Sequence, residues 1–250
     1  MPLTTSLLLV VAGFGAGLCG SVAGLASLVS YPALLAAGLG PVSANVTNTL
    51  ALIWSSVGSV WGYRPELAGQ RRRIEVLAPV AAAGGVLGGV LLLVTPSGAF
   101  ARIVPWLIGA GSAAVVLRRS PSAEPAHRTR RGAALLAAGV FAVSVYGGYF
   151  GAAAGVVLLG LLLLATLEPL ARCRAITSVL LGLANAVAGL AFAVGGPVRW
   201  GAVLPLAVGC LIGGRTGPLV VRRVPAAPLR VVIALAGVGL AVHLGLDAYR

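Results

Sequence analysis

Eight apolar runs follow one another along the 250-residue chain: Leu3–Leu39, Ala44–Tyr63, Val76–Thr95, Ile103–Leu117, Gly132–Leu167, Ala175–Gly195, Gly201–Gly214 and Val231–Leu246. A hydrocarbon layer about 30 Å thick takes about 20 helical residues to cross. The runs therefore read as membrane crossings, the shorter ones extending into flanking residues. Backbone groups in lipid must be satisfied within helices or a closed barrel, and the runs lack the alternation of barrel strands. The expected fold is an all-α polytopic membrane protein. The opening "MPLTTS" carries no basic residue, and the apolar stretch behind it continues past Gly38, which argues against a cleaved leader. Arg118–Gly132, the longest polar stretch, holds two prolines and five arginines and reads as a linker too short to hide an enzyme.

The charge supports the same class. All 18 basic residues are Arg, set in short loops against five acids, for a net charge of +13. Short basic loops between apolar runs follow the positive-inside pattern, so the expected partner is a lipid bilayer and not nucleic acid. Cys19, Cys173 and Cys210 form no CxxC pair, and His127 and His243 stand alone. Glu66, Glu75, Glu124, Glu168 and Asp247 all fall in or beside loops or at the C-terminal end, which leaves proton coupling without an obvious carrier. No cofactor, metal or catalytic residue is expected.

The chain repeats itself at an offset of roughly 125 to 131 residues. "GSVAGL" (Gly20–Leu25) falls on "GAAAGV" (Gly151–Val156), and "SANVTNTL" (Ser43–Leu50) on "RAITSVL" (Arg174–Leu180). "APVAAAGGVLGGV" (Ala78–Val90) falls on "LPLAVGCLIGGR" (Leu204–Arg215), with Pro79 on Pro205. Two membrane repeats, 1–118 and 132–250, joined by a linker at 119–131, are the natural division.

Loop charge then predicts how each half faces. Treated as single crossings, the two longest runs divide the arginines 11 to 7 between the membrane faces. Treated as hairpins that return to the face they left, they divide them 15 to 3, with Arg102, Arg199 and Arg250 alone on the minor side. The second division obeys the positive-inside rule and makes the repeats inverted. Each repeat is then a Gly-interrupted helical hairpin followed by three transmembrane helices. A cell (inner) membrane location is expected, with both termini external and the Arg-rich linker cytoplasmic. Leu3–Leu39, at 37 residues, would measure about 55 Å as one helix, far beyond a bilayer. Split at Gly20–Gly24, it gives two segments of about 16 residues, either tilted spans or re-entrant half-helices.

Glycine costs a helix interior about 1 kcal/mol relative to Ala, yet "AGFGAGLCGSVAGL" (Ala12–Leu25) and "SVYGGYFGAAAGVV" (Ser144–Val157) place it at both turns. Broken segments in matching positions of two inverted halves point to a transporter's substrate site. A helix beginning after such a turn aims unpaired N–H groups and its positive dipole end at an anion. The candidate substrate-binding residues are Gly20, Ser21, Gly24, Gly151 and Gly155 at the turns. Thr47, Asn48, Thr177 and Ser178, opening the next segments, and Asn185, mid-segment, complete the set. Helix capping and interhelical hydrogen bonding would explain Thr47, Asn48, Thr177 and Ser178 equally well. Gly84–Gly89 and Gly209–Gly214 read as helix-packing glycines, and Tyr146 and Tyr149 as packing aromatics. Trp61, Trp106 and Trp200 fit an interfacial belt.

A Gly-rich turn, a "P-x-L-L-x-x-G" element and an Ala-x-x-Thr-Ser/Asn helix start, all duplicated, resemble the TauE/SafE family of membrane permeases. Here they are "GSVAGLASLVSYPALLAAGLGPVSANVTN" (Gly20–Asn48) and "GAAAGVVLLGLLLLATLEPLARCRAITS" (Gly151–Ser178). The resemblance extends over nearly the whole chain. It implies a permease or exporter of a small anion such as sulfite or a sulfonate. The family's run of consecutive glycines is interrupted here, and Pro32 meets Leu163 in the second copy. A membrane redox protein lacks paired cysteines and haem histidines in this chain, whereas a non-transporting scaffold would keep the glycines for packing alone.

Overall fold

The computed structural model describes residues 1–116, 130–222, 242 and 246. Most of the linker and of the run Val231–Leu246 lies outside the described residues. The described chain forms α1 (Leu3–Ala23), α2 (Ser27–Ala36), α3 (Pro41–Gly62), α4 (Arg64–Leu67) and α5 (Arg71–Val94). It continues with α6 (Ser97–Val116), α7 (Arg130–Tyr149), α8 (Ala154–Ala165), α9 (Leu170–Gly195) and α10 (Trp200–Val221). The chain is an all-helical membrane protein: α1, α5, α7, α9 and α10 are each long and apolar enough to cross a bilayer.

Both long runs break, but unequally. α1 keeps 21 residues and α2 only 10; α7 keeps 20 and α8 only 12. The return legs, about 15 and 18 Å long, fall short of a bilayer's thickness. The expected split near the middle of Leu3–Leu39 moves toward its C-terminal part because most of the glycines remain helical. Gly13 and Gly17 are held in α1 by close approach to the backbone of α10, and only Gly24, at φ +77, leaves the helix. The second run turns one helical turn earlier than its sequence counterpart, through Gly151 at φ +73 and Ala153 at φ +59.

Close glycine contacts also fix helix directions. Gly13 and Gly17 of α1 approach Leu206 and then Cys210 of α10, so these helices run parallel. Gly58 and Gly62 of α3 approach Leu211 and then Arg215 of α10, again in parallel. In a second group, Gly84 and Gly88 of α5 approach Phe141 and then Val145 of α7, while Gly85 and Gly89 approach Ala184 and then Ala188 of α9. Between the groups Gly182 faces Ser56 and Gly189 faces Leu50, so α9 runs against α3. α1, α3 and α10 therefore point one way and α5, α7 and α9 the other. Each triple takes two helices from one half of the sequence and one from the other.

Each hairpin returns to the end it left. Met1 shares a surface depression with Ala37, Gly38, Leu39 and Arg199. At the other end, Arg73 of α5 donates to Glu168, just beyond α8, at 3.1 Å. Arg172 donates to the same carboxylate at 3.1 Å, and Arg222 forks onto Glu66 at 2.7 and 3.0 Å. Arg64, Arg71, Arg72, Arg73, Arg172, Arg174, Arg215 and Arg222 thus gather at one end, which we call the Arg-rich end, and Arg102 and Arg199 lie at the other.

Glu168 joins the two halves there. A hydrogen bond from Gln70, the largest cause, together with those from Arg172 and Arg73 outweighs the opposing effect of burial and holds its carboxyl down to about 2 from the usual 4.5. A depressed folded pKa contributes stability above pH 4.5 that is lost as pH falls toward 2. Thermal midpoints in detergent should accordingly separate wild type from Glu168→Gln at pH 7. The two should converge as the pH is lowered through that window.

Candidate functional site

The two turns meet in the interior. Gly24 closes α1 in the left-handed conformation, its N–H donating to Gly20 O at 2.8 Å and that of Leu25 to Cys19 O at 3.4 Å. In the second turn the N–H groups of Phe150 and Gly151 both donate to Tyr146 O at 2.9 Å. The Tyr146 hydroxyl reaches around to donate to Ala152 O at 2.6 Å, so this aromatic braces the turn as well as packing. Gly24 and Gly155 then touch backbone to backbone: a Cβ on Gly24 would lie 2.5 Å from Gly155 C, and one on Gly155 2.7 Å from Gly24 Cα. Tyr31 of α2 packs edge-on against Phe150, with ring centres 5.2 Å apart.

Beside this junction lies a cavity of about 70 Å³, room for a few waters or one small polyatomic ion. Gly20, Gly24, Gly147, Gly151 and Gly155 form its turn side, and α3 from Thr49 to Ser59 faces α9 from Thr177 to Asn185 across it. Seven of the residues singled out from sequence therefore come together: Gly20, Gly24, Gly151, Gly155, Thr177, Ser178 and Asn185.

Three others sit off the cavity. Ser21 packs against Gly217, and its carbonyl accepts the Tyr63 hydroxyl at 3.2 Å. Thr47 accepts the Arg199 N–H at 3.1 Å and ties α3 to the loop before α10. Asn48 donates through Nδ2 to Ser27 Oγ at 3.4 Å, so it orients a residue that lines the cavity without lining it itself. Asn45 similarly fastens α3 to the second turn, donating to Tyr149 O at 2.8 Å.

The lining is a set of donors. Thr49, Thr177 and Ser178 give their hydroxyl protons to helix carbonyls four residues back, at 3.0, 2.8 and 3.1 Å. The side chains of Ser55, Ser56, Ser59 and Asn185 make no hydrogen bond to any described residue, which leaves four side chains able to donate into the space. The N–H groups of Ala26 and Ser27, at the start of α2, and of Gly155, in the first turn of α8, find no acceptor among the described residues. They are the orphan donors expected at helix starts. No carboxylate lines the cavity, and no group of three His, Cys, Asp or Glu side chains suited to a metal occurs among the described residues. Arg174, 2% exposed, lies one helical turn before Ser178 and places a buried cation on the Arg-rich side.

Sequence reasoning passed over Ser55, Ser56 and Ser59. "WSSVGSV" (Trp54–Val60) sits inside an apolar run, and serines at i, i+1 and i+4 mark a helix face that is polar at membrane depth. Arg174 was legible only as a loop charge, because its burial follows from the tertiary position of α9.

Residues 9–244 match the family model described as "Sulfite exporter TauE/SafE". The chain is 27% identical over 240 residues to a Sinorhizobium protein named "Probable membrane transporter protein ORF9", covering 96% of this chain and 92% of that one. It is 28% identical over 241 residues to the Escherichia coli K12 "Probable membrane transporter protein YfcA", covering 94% and 87%. No solved structure matches.

Proposed function

Because this chain belongs to the TauE/SafE family of membrane transporters, we propose that its cargo is a small anion of the sulfite or sulfonate class. That anion binds in the cavity between the two glycine turns. The observation that carries this reading is the lining: the unpaired side-chain donors of Ser55, Ser56, Ser59 and Asn185, and three residues with unpaired backbone N–H groups, border a cavity lined by no carboxylate. Hydrogen bonds to a charged group contribute about 1.5–3 kcal/mol each, more than neutral pairs. The dipoles at the starts of α2 and α8 add to them. Ordered donors also spare the anion the reorganisation that water would need.

The opposed helix triples support an inverted repeat, with the second half threaded upside down relative to the first. Alternating access then consists of one triple rocking against the other about the Gly24–Gly155 contact. The Arg-rich end faces the cytoplasm on the positive-inside rule, with the N-terminus outside. A membrane potential drives a monoanion outward by about 2.3 kcal/mol per 100 mV, which suffices for export without a proton carrier.

Proteoliposomes loaded with labelled sulfite, a sulfonate or chloride, under a potassium-diffusion potential, test this. Sulfite or the sulfonate should leave with a rate that follows the imposed potential, and chloride should lag. Release of none of the three, by protein of verified fold, would sink the assignment.

A further inference from the structure

Trp61 stands near the Arg-rich end of α3, 44% exposed, between two cations. The Arg215 guanidinium lies 3.6 Å from its ring centre and that of Arg64 5.7 Å away. The described carboxylates at this end are already engaged: Glu66 with Arg222, Glu75 with Arg71, and Glu168 with Arg73 and Arg172. The guanidiniums of Arg64 and Arg215 make no ion pair or hydrogen bond with any described residue. Two grooves run from this point between the helices. One, of about 550 Å³ between α3 and α9, is walled by Val57, Val60, Val179 and Leu183. The other, of about 500 Å³ between α3 and α10, is walled by Leu211, Ile212 and Leu219. Trp61 and Arg64 border both, and Arg215 borders the second.

We infer that this is a binding site for one anionic phospholipid, its phosphate held between Arg64 and Arg215 beside Trp61 and one acyl chain in each groove. Charge complementarity selects the headgroup. Two unneutralised guanidiniums favour a net negative lipid, and the ammonium of a zwitterionic lipid would find no free carboxylate near them among the described residues. Basic pockets between membrane helices, with an interfacial Trp, are where anionic headgroups are held. The groove walls are mainly apolar, interrupted by Ser56 and Ser178 in the first and Thr216 in the second, which suits acyl chains better than a soluble anion. Arg64 and Arg215 lie outside the lining of the inner cavity, so the headgroup position does not depend on what that cavity carries, whereas Ser56 and Ser178 line both the cavity and the first groove.

The test is lipid retention by full-length protein in nanodiscs of phosphatidylcholine with a minority of phosphatidylglycerol, read by native mass spectrometry after extraction. Wild type should retain phosphatidylglycerol at least tenfold over its share of the mixture. Inorganic phosphate or glycerol phosphate added to delipidated protein should leave its melting unchanged. The Arg64→Gln/Arg215→Gln double variant should lose the preference, while Arg72→Gln, at an exposed arginine of the same end, should keep it. Equal retention of both lipids, a preference that survives the double change, an equal loss in Arg72→Gln, or stabilisation by free phosphate would each overturn the inference.

Discussion

Gly24→Ala and Gly155→Ala should each abolish transport, and Gly24→Ala should also lose most of the folded yield. At Gly155 the added methyl would stand 2.7 Å from Gly24 Cα and 2.9 Å from Gly24 O, and neither backbone atom can swing aside as a side chain would. At Gly24 the methyl meets Gly155 C at 2.5 Å and Val156 N at 2.7 Å, and the residue must also hold φ +77. The left-handed conformation costs about 1–2 kcal/mol for an L-residue, and overpacking costs about 1–3 kcal/mol more. Gly38→Ala separates the two effects, since Gly38 shares the positive φ at +85 but has nothing within 4 Å of the added methyl. It should show the conformational cost alone, with flux retained. Folded yield by size-exclusion chromatography, beside flux per folded molecule, distinguishes a broken site from a broken fold.

The second large effect belongs to the packing glycines. Gly213→Ala would drive a methyl into Phe14 O and to 2.8 Å from Leu18 N, and Gly88→Ala into Val145 O and to 2.8 Å from Tyr149 N. The first pair seals α10 to α1 and the second α5 to α7, so both changes attack a joint between the two halves of the sequence. Each should destabilise by about 3 kcal/mol or more, because the helices must separate or the substituted helix must shift. Gly160→Ala reverses the sign. Nothing lies within 4 Å of its methyl, and helix propensity predicts a gain of about 0.5–1 kcal/mol. Unfolding in mixed detergent micelles should therefore order the proteins Gly160→Ala, wild type, then Gly88→Ala and Gly213→Ala together.

The sequence carried the fold class because lipid allows few solutions: apolar runs long enough to cross must be helices, and loop arginines must favour one side. That both long runs break at their glycines was legible for a similar reason, as a 37-residue apolar run is too long for one crossing. What stayed hidden depends on contact. Nothing local separates Gly17, which stays helical against Cys210 and Gly214, from Gly24, which turns. Ser21 and Thr47 looked no different from Ser178 in the one-dimensional pattern, yet only Ser178 faces the cavity. Ser55, Ser56 and Ser59 were masked by the apolar residues around them, whose average hid a polar helix face. The asymmetry of the hairpin legs likewise follows from α10 and α5 supporting α1 and α7 over nearly their whole lengths.

The most direct test of the anion site is Asn185→Leu, which removes an unpaired amide from the cavity wall and adds no charge. Potential-driven efflux of labelled sulfite from proteoliposomes, over a range of internal concentrations, is the measurement. Loss of one hydrogen bond to a charged group predicts a half-saturating concentration raised about tenfold or more. Melting temperature should stay close to wild type, and Ser55→Ala should shift efflux the same way. Saturation curves identical to wild type in both variants, at matched folded yield, would contradict the account and move the anion's path away from the paired glycine turns.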